Sequence, residues 1–128
     1  VRYFLVMLER IALLVLLTLA LHPSLHAQVS EKVLQRVEIP TVNLQEVSLV
    51  QALDFVKQQV AKQTDDKLKL NIVPLLTDEE KEKTITLSLN KIPASALLEY
   101  LAQLGNVDIR YDQYAITVLS PEETPTAN

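Results

Sequence analysis

The 128-residue chain contains no cysteine, one glycine (Gly105) and two histidines, His22 and His26. Without cysteine there is no disulfide frame, thiolate nucleophile or thiolate metal site. A single glycine excludes every phosphate-cradling loop built on repeated glycines, including the P-loop and the dinucleotide fingerprint. The length corresponds to about one domain on a prior of ~100–200 residues per domain, which excludes a large multidomain enzyme. What is present is an ordinary apolar fraction of 48% and an acidic balance, net −4.

Residues 11–21 read IALLVLLTLAL, without a charge, preceded by Arg2 and Arg10 and followed by Pro23, Ser24 and Leu25-His26-Ala27-Gln28. This is the layout of a secretory signal peptide. As a helix the run spans only ~16 Å against a hydrocarbon core of ~30 Å, and extending it back toward Tyr3 meets Glu9 and Arg10. Export with cleavage between Ala27 and Gln28 is therefore expected; the rival reading keeps residues 3–21 as an anchor. Val1 stands where methionine is usual, as a non-ATG start or a truncated reading frame would give.

Removal of residues 1–27 takes both histidines with it, and with them the usual proton carrier near neutral pH. Ser48, Ser88 and Ser95 are left without a histidine to activate them, which excludes a serine hydrolase. Subtracting Arg2, Arg10 and Glu9 reduces twelve basic and sixteen acidic residues to ten and fifteen, a net of −5. A net-acidic domain does not suit the phosphate backbone of a nucleic acid.

Residues 28–36 read as a flexible polar lead, 37–119 as the folded domain and 120–128 as a disordered tail. Within the domain, VNLQEVSLVQALDFVKQ (42–58) lies over LSLNKIPASALLEYLAQ (87–103) at an offset of 45, an internal repeat of strand end, turn and helix. Ser48 is the expected N-cap of a first helix, with Leu49, Ala52, Leu53, Val56 and Val60 as its apolar stripe and an end near Lys62. A second helix starts at Pro93, carries Leu97, Leu98, Leu101 and Leu104 inward, and stops at Gly105 in a left-handed conformation. Strands are expected at 37–44, 69–73, 84–89, 107–111 and 114–119. The last two are joined by Asp112-Gln113 as a tight hairpin. The fold class is α+β, in the order β-α-β-β-α-β-β, with two pseudo-repeated βαβ halves.

The phrases LQEVSLVQALDFVKQQ (44–59), LNIVP (70–74) and ITLSLNKIPASALLEYLAQLGNVDIRYDQYAITV (85–118) together resemble the short N-terminal domain shared by bacterial secretins and TonB-dependent receptors. The resemblance covers essentially the whole expected domain. It implies two helices packed between a two-stranded and a three-stranded sheet, and a non-catalytic protein-interaction role in the periplasm or at the outer membrane. In secretins such domains face inner-membrane parts of a secretion or pilus machine, and in receptors they pass a signal to an anti-sigma regulator. After Leu119 the sequence shows neither ring-building domains nor a membrane β-barrel, so a stand-alone exported domain is expected; the loops at 65–67 and 77–83 are longer than is usual in the family. The implied partner is an envelope protein, a secretin or an inner-membrane assembly component.

The residues bearing on a site are few. Asp78-Glu79-Glu80-Lys81-Glu82 lacks the alternating ligands and glycine of a calcium loop and reads as a solvated connection between strands. Asp54 and Glu99 hold matching helix positions on expected wet faces, and paired catalytic carboxylates need a cleft between them. Tyr111 and Tyr114 flank the terminal turn, either as partner anchors or as a cross-strand aromatic pair. If residues 114–119 form a sheet edge, Tyr114, Ile116, Thr117 and Val118 form a docking strip with Tyr111 beside it. Thr117→Pro would then weaken binding without unfolding the domain. No metal or cofactor is implied, and inward positions are mostly Leu, Val and Ile. The alternatives to an interaction module are an exported small-ligand binder or enzyme, and a membrane-anchored structural subunit with an uncleaved N-terminal helix.

Overall fold

A computed structural model describes residues 31–121. The expected signal segment, its Ala27/Gln28 junction and residues 122–128 of the expected tail lie outside the described residues. The described chain runs α1 (Glu31–Gln35), β1 (Glu38–Ser48), α2 (Leu49–Gln63), β2 (Ile72–Leu75), α3 (Asp78–Lys81), β3 (Thr84–Pro93), α4 (Ala94–Gly105), β4 (Asp108–Tyr111) and β5 (Ile116–Leu119). This is an α+β fold with four helices and two small sheets. It differs from the expected order by the two short helices, α1 and α3. No helix among the described residues is long and apolar enough to cross a membrane.

Helix α2 begins with a reciprocal cap. Ser48 Oγ accepts from the Gln51 N–H at 3.2 Å, and Gln51 Oε1 accepts from the Ser48 N–H at 3.1 Å, so two backbone donors left open by helix geometry are satisfied at once. Leu49, Ala52, Leu53, Val56 and Val60 are buried along one face. Beyond its end, Thr64 Oγ1 donates to the Val60 carbonyl at 2.8 Å. Asp65 and Asp66 then adopt left-handed backbone, φ 51° and 61°, which turns the chain out of the helix.

Helix α4 follows Pro93 and buries Ala94, Leu97, Leu98 and Leu101. Leu104, expected on the same stripe, is 42% exposed. The left-handed stop also falls one residue later than expected: Asn106 has φ 52° and ψ 54°, while Gly105 is still helical. A different constraint acts at Gly105. A Cβ there would lie 3.0 Å from Leu49 Cδ2, so the missing side chain lets the end of α4 approach the start of α2.

Strands β1 and β3 form an antiparallel two-stranded sheet in which Val42 faces Leu89 and Leu44 faces Leu87. Both run further than expected, to Ser48 and Pro93. Two left-handed residues, Glu46 (φ 50°) and Lys91 (φ 52°), interrupt the strict alternation of facing, so Val47 and Ile92 turn inward again just before each helix. At Glu46 the pairing register shifts in a bulge between Leu44 and Val47.

The second sheet has the order β2-β5-β4, with β2 parallel and β4 antiparallel to β5. Its first strand starts at Ile72 rather than residue 69, because Leu70 is taken into the core before pairing begins. The turn between β4 and β5 spans residues 112–115 rather than two residues, closed by the Asp112 N–H donating to the Ala115 carbonyl at 2.9 Å.

One aliphatic core joins these parts. Helices α2 and α4 pack against each other; α2 touches β1, β3 and β2, and α4 touches β3 and β4, so each reaches both sheets. Residues 31–36, expected within a flexible lead, are instead structured. A five-residue helix is not stable alone, but Leu34 is fully buried where α1 packs on α4, a burial that contributes about 2 kcal/mol. The acidic run 78–82, expected as a plain connection, contains the single turn α3, capped by Thr77 and Glu80.

Candidate interaction surfaces

The open margins of the two sheets follow from strand order. β5 is central, paired on both sides, and so the edge placement expected for residues 114–119 is corrected. Ile116, Thr117 and Val118 are buried at 2%, 8% and 0% exposure, and Thr117 Oγ1 donates to the Asp112 carboxylate. Tyr114 lies in the turn, 82% exposed, its carbonyl accepting from Asn71 Nδ2 at 3.3 Å. Tyr111 ends β4, opposite Ile116 rather than Tyr114, so the two tyrosines do not form a directly opposed cross-strand pair. The five residues proposed as one docking strip are thus divided among a buried central strand, a loop tip and a strand beside a groove.

Strands β1, β3, β2 and β4 each have a ladder partner on one side only. For β4 the open groups can be assigned. Hydrogen-bonded pairs alternate along an antiparallel ladder, and Asp112 bonds Ala115. Arg110 and Thr117, two residues further, therefore face each other as a bonded pair, as do Asp108 and Leu119. The backbone N–H and C=O groups of Ile109 and Tyr111 consequently point away from β5. The outer face of the β1–β3 sheet carries Thr41, Asn43, Thr86, Ser88 and Asn90, all exposed.

Beside β4 lies a groove of about 450 Å³, lined by residues of α1, α4 and β4 and by none of β5. Glu31, Glu99 and Asp108 are its charged lining residues, with Gln103 and Tyr111 alongside and Ser95 at 9% exposure. The Tyr111 hydroxyl is pushed up to about 12, first by burial and then by the carboxylates of Glu31 and Glu99. Glu99 therefore faces this groove. Its expected counterpart Asp54 instead accepts from Gln58 Nε2 at 2.8 Å on the exposed side of α2, so the two matching carboxylates serve different surroundings. Among the described residues no group of three acidic side chains is placed to hold a metal ion.

A second depression, at the start of α2, mixes charges: Lys81 lines it together with Glu46 and Glu82. Nearby, Glu80 ties α3 to the end of β5, accepting from Ser120 Oγ at 2.6 Å and from the Thr77 N–H at 3.0 Å. These two bonds, Ser120 first, hold its carboxyl below the ordinary value. Ser48 is consumed as a helix cap, whereas Ser88 is exposed on β3.

Glu31, Ser95, Gln103 and Asp108 were not legible as groove residues. Asp108 alternates with Val107 and Ile109 in a readable strand, but the groove exists only where α1 folds back onto α4, a contact between residues distant in the chain. Compared with known proteins, the chain matches no family model, no curated protein and no solved structure.

Proposed function

We propose that this chain is a non-catalytic, exported interaction domain that docks an envelope protein through open strand edges. The reading takes up the resemblance to secretin and TonB-receptor short N-terminal domains and places the protein in the periplasm or at the outer membrane, in a secretion, pilus or signalling assembly. The observation that carries it is the sheet order: of the five strands among the described residues only β5 is paired on both sides. An unpaired row of N–H and C=O groups is a template for a partner strand, and strand addition of this kind supplies affinity from the main chain and specificity from alternate side chains.

Two βαβ halves at an offset of 45 belong to the same reading. In support, the left-handed residues Glu46 and Lys91 are 45 apart, and so are the inward-facing sets Val42, Leu44, Val47 and Leu87, Leu89, Ile92. A photo-reactive side chain placed at Thr41 on β1 or Asp108 on β4, in cells exporting the protein, tests the docking. The expected result is one envelope protein captured from a strand position and not from Lys57, exposed on α2. Equal capture from all three positions, or none from any, sinks the reading. Mass spectrometry of the same material tests export, with a mature N-terminus at Gln28 expected.

A further inference from the structure

We infer that the groove beside β4 is the seat of an extended protein segment that carries a lysine or arginine. This inference rests on the strand-edge reading above and names the edge, the occupant's conformation and its charge. Conformation comes from the backbone: the outward groups of Ile109 and Tyr111 present one N–H and C=O set every second residue, the spacing an added strand requires. A peptide paired there alternates its side chains between the two faces of the sheet, and those on the inner face enter the space between β4 and α4.

Charge comes from the lining. Glu31, Glu99 and Asp108 are all carboxylates, and among the described residues no lysine, arginine or histidine lines the groove. Among the described residues no group of three or more such side chains could hold a metal ion. The floor adds a polar group free to meet one from a ligand. Ser95 is 9% exposed, and its hydroxyl has no hydrogen-bond partner among the described residues. Since among the described residues no fully enclosed side-chain polar atom lacks a partner, that hydroxyl is open to the groove. A buried, accessible and unpaired hydroxyl is satisfied by a ligand donor or by water. Tyr111, half-buried, supplies an aromatic ring beside the same space, and such a ring favours a cationic neighbour.

The probe is a blocked peptide of alternating valine and threonine with one central lysine, titrated into the mature protein and followed residue by residue through backbone amide NMR shifts. Shifts are expected at Ser95, Glu99 and residues 108–111. The peptide with glutamate in place of lysine should bind about tenfold more weakly, and so should the lysine peptide to the Glu31→Gln, Glu99→Gln double variant, for the loss of roughly two exposed charge contacts. Asp54→Asn, which removes a carboxylate outside the groove, should leave binding unchanged; an equal loss in that variant means unspecific charge attraction and overturns the inference. Shifts confined to β1 or β3 also overturn it while leaving strand-edge docking in place, as does the absence of any shift. Failure of the photo-capture experiment at every strand position removes the broader reading as well.

Discussion

At Gly105 a single added methyl group meets Leu49 Cδ2 at 3.0 Å and Cδ1 at 3.1 Å. Leu49 is fully buried, so it cannot swing into solvent to make room. Alanine gains at most ~1 kcal/mol of helix propensity over glycine, whereas forcing a methyl into a packed core costs ~1–3 kcal/mol. Gly105→Ala should therefore destabilise the fold by about 1 kcal/mol in chemical denaturation. Leu49→Ala alone should cost ~2–5 kcal/mol. Together the two should cost less than their sum, because the cavity left by one receives the methyl of the other; strict additivity would count against the contact. Tyr111 offers a second test. Its folded-state value is raised from 10.0 to about 12, so the neutral phenol is the form the fold favours. The associated stability is whole below pH ~10 and is lost as pH rises through ~12. In a chain carrying Y3F, Y100F and Y114F, tyrosinate absorbance should report this late ionisation. Glu31→Gln should shift it toward the ordinary value, and an unshifted titration in the parent would contradict the described setting of Tyr111.

Element by element, local signals were legible where local chemistry decides the outcome. The Ser48-to-Gln51 spacing and the stripe that follows it define α2 without reference to any distant residue. The end of α4 shows the limit. Glycine and asparagine both tolerate left-handed backbone, and only the approach of Leu49 explains why glycine is the helical one and Asn106 makes the turn. Helix α1 was illegible because five residues carry no periodic pattern, and its one strong signal, Leu34, acquires meaning only against α4. Strand order is less local still. Residues 114–119 alternate like any half-buried strand, and nothing in that segment says that β2, more than forty positions earlier, lies on its far side. The consequence reverses the expectation for Thr117. Its N–H belongs to the ladder with β4, so Thr117→Pro removes a central hydrogen bond, at a cost of ~1 kcal/mol from that term alone, before ring clashes. Loss of the cooperative thermal transition is expected. A variant that melts normally would show that β5 has an open side after all.

On the scale of the whole molecule, neither sheet is self-sufficient. Two paired strands are marginal in water, and three need a packed apolar face; here both faces are supplied by the same pair of helices. Val56, Leu97, Leu98 and Leu101 are all fully buried in the one cluster that also holds Ile39, Val42, Ile85, Ile116 and Val118. With one core there is one unfolding event, as is usual for a small single domain. A cavity at the centre of α4 should therefore weaken both sheets together. Leu98→Ala is expected to cost ~2–5 kcal/mol, and hydrogen exchange gives a direct reading of where that cost falls. Slow amides of β1 and β3 should lose protection by the same free energy as those of β5. The open margin of β4 should exchange faster than β5 in both proteins, since its outward N–H groups are not held by a ladder. If the β1–β3 amides kept their protection while β5 lost it, the sheets would be separate cooperative units, and the helices would belong to only one of them.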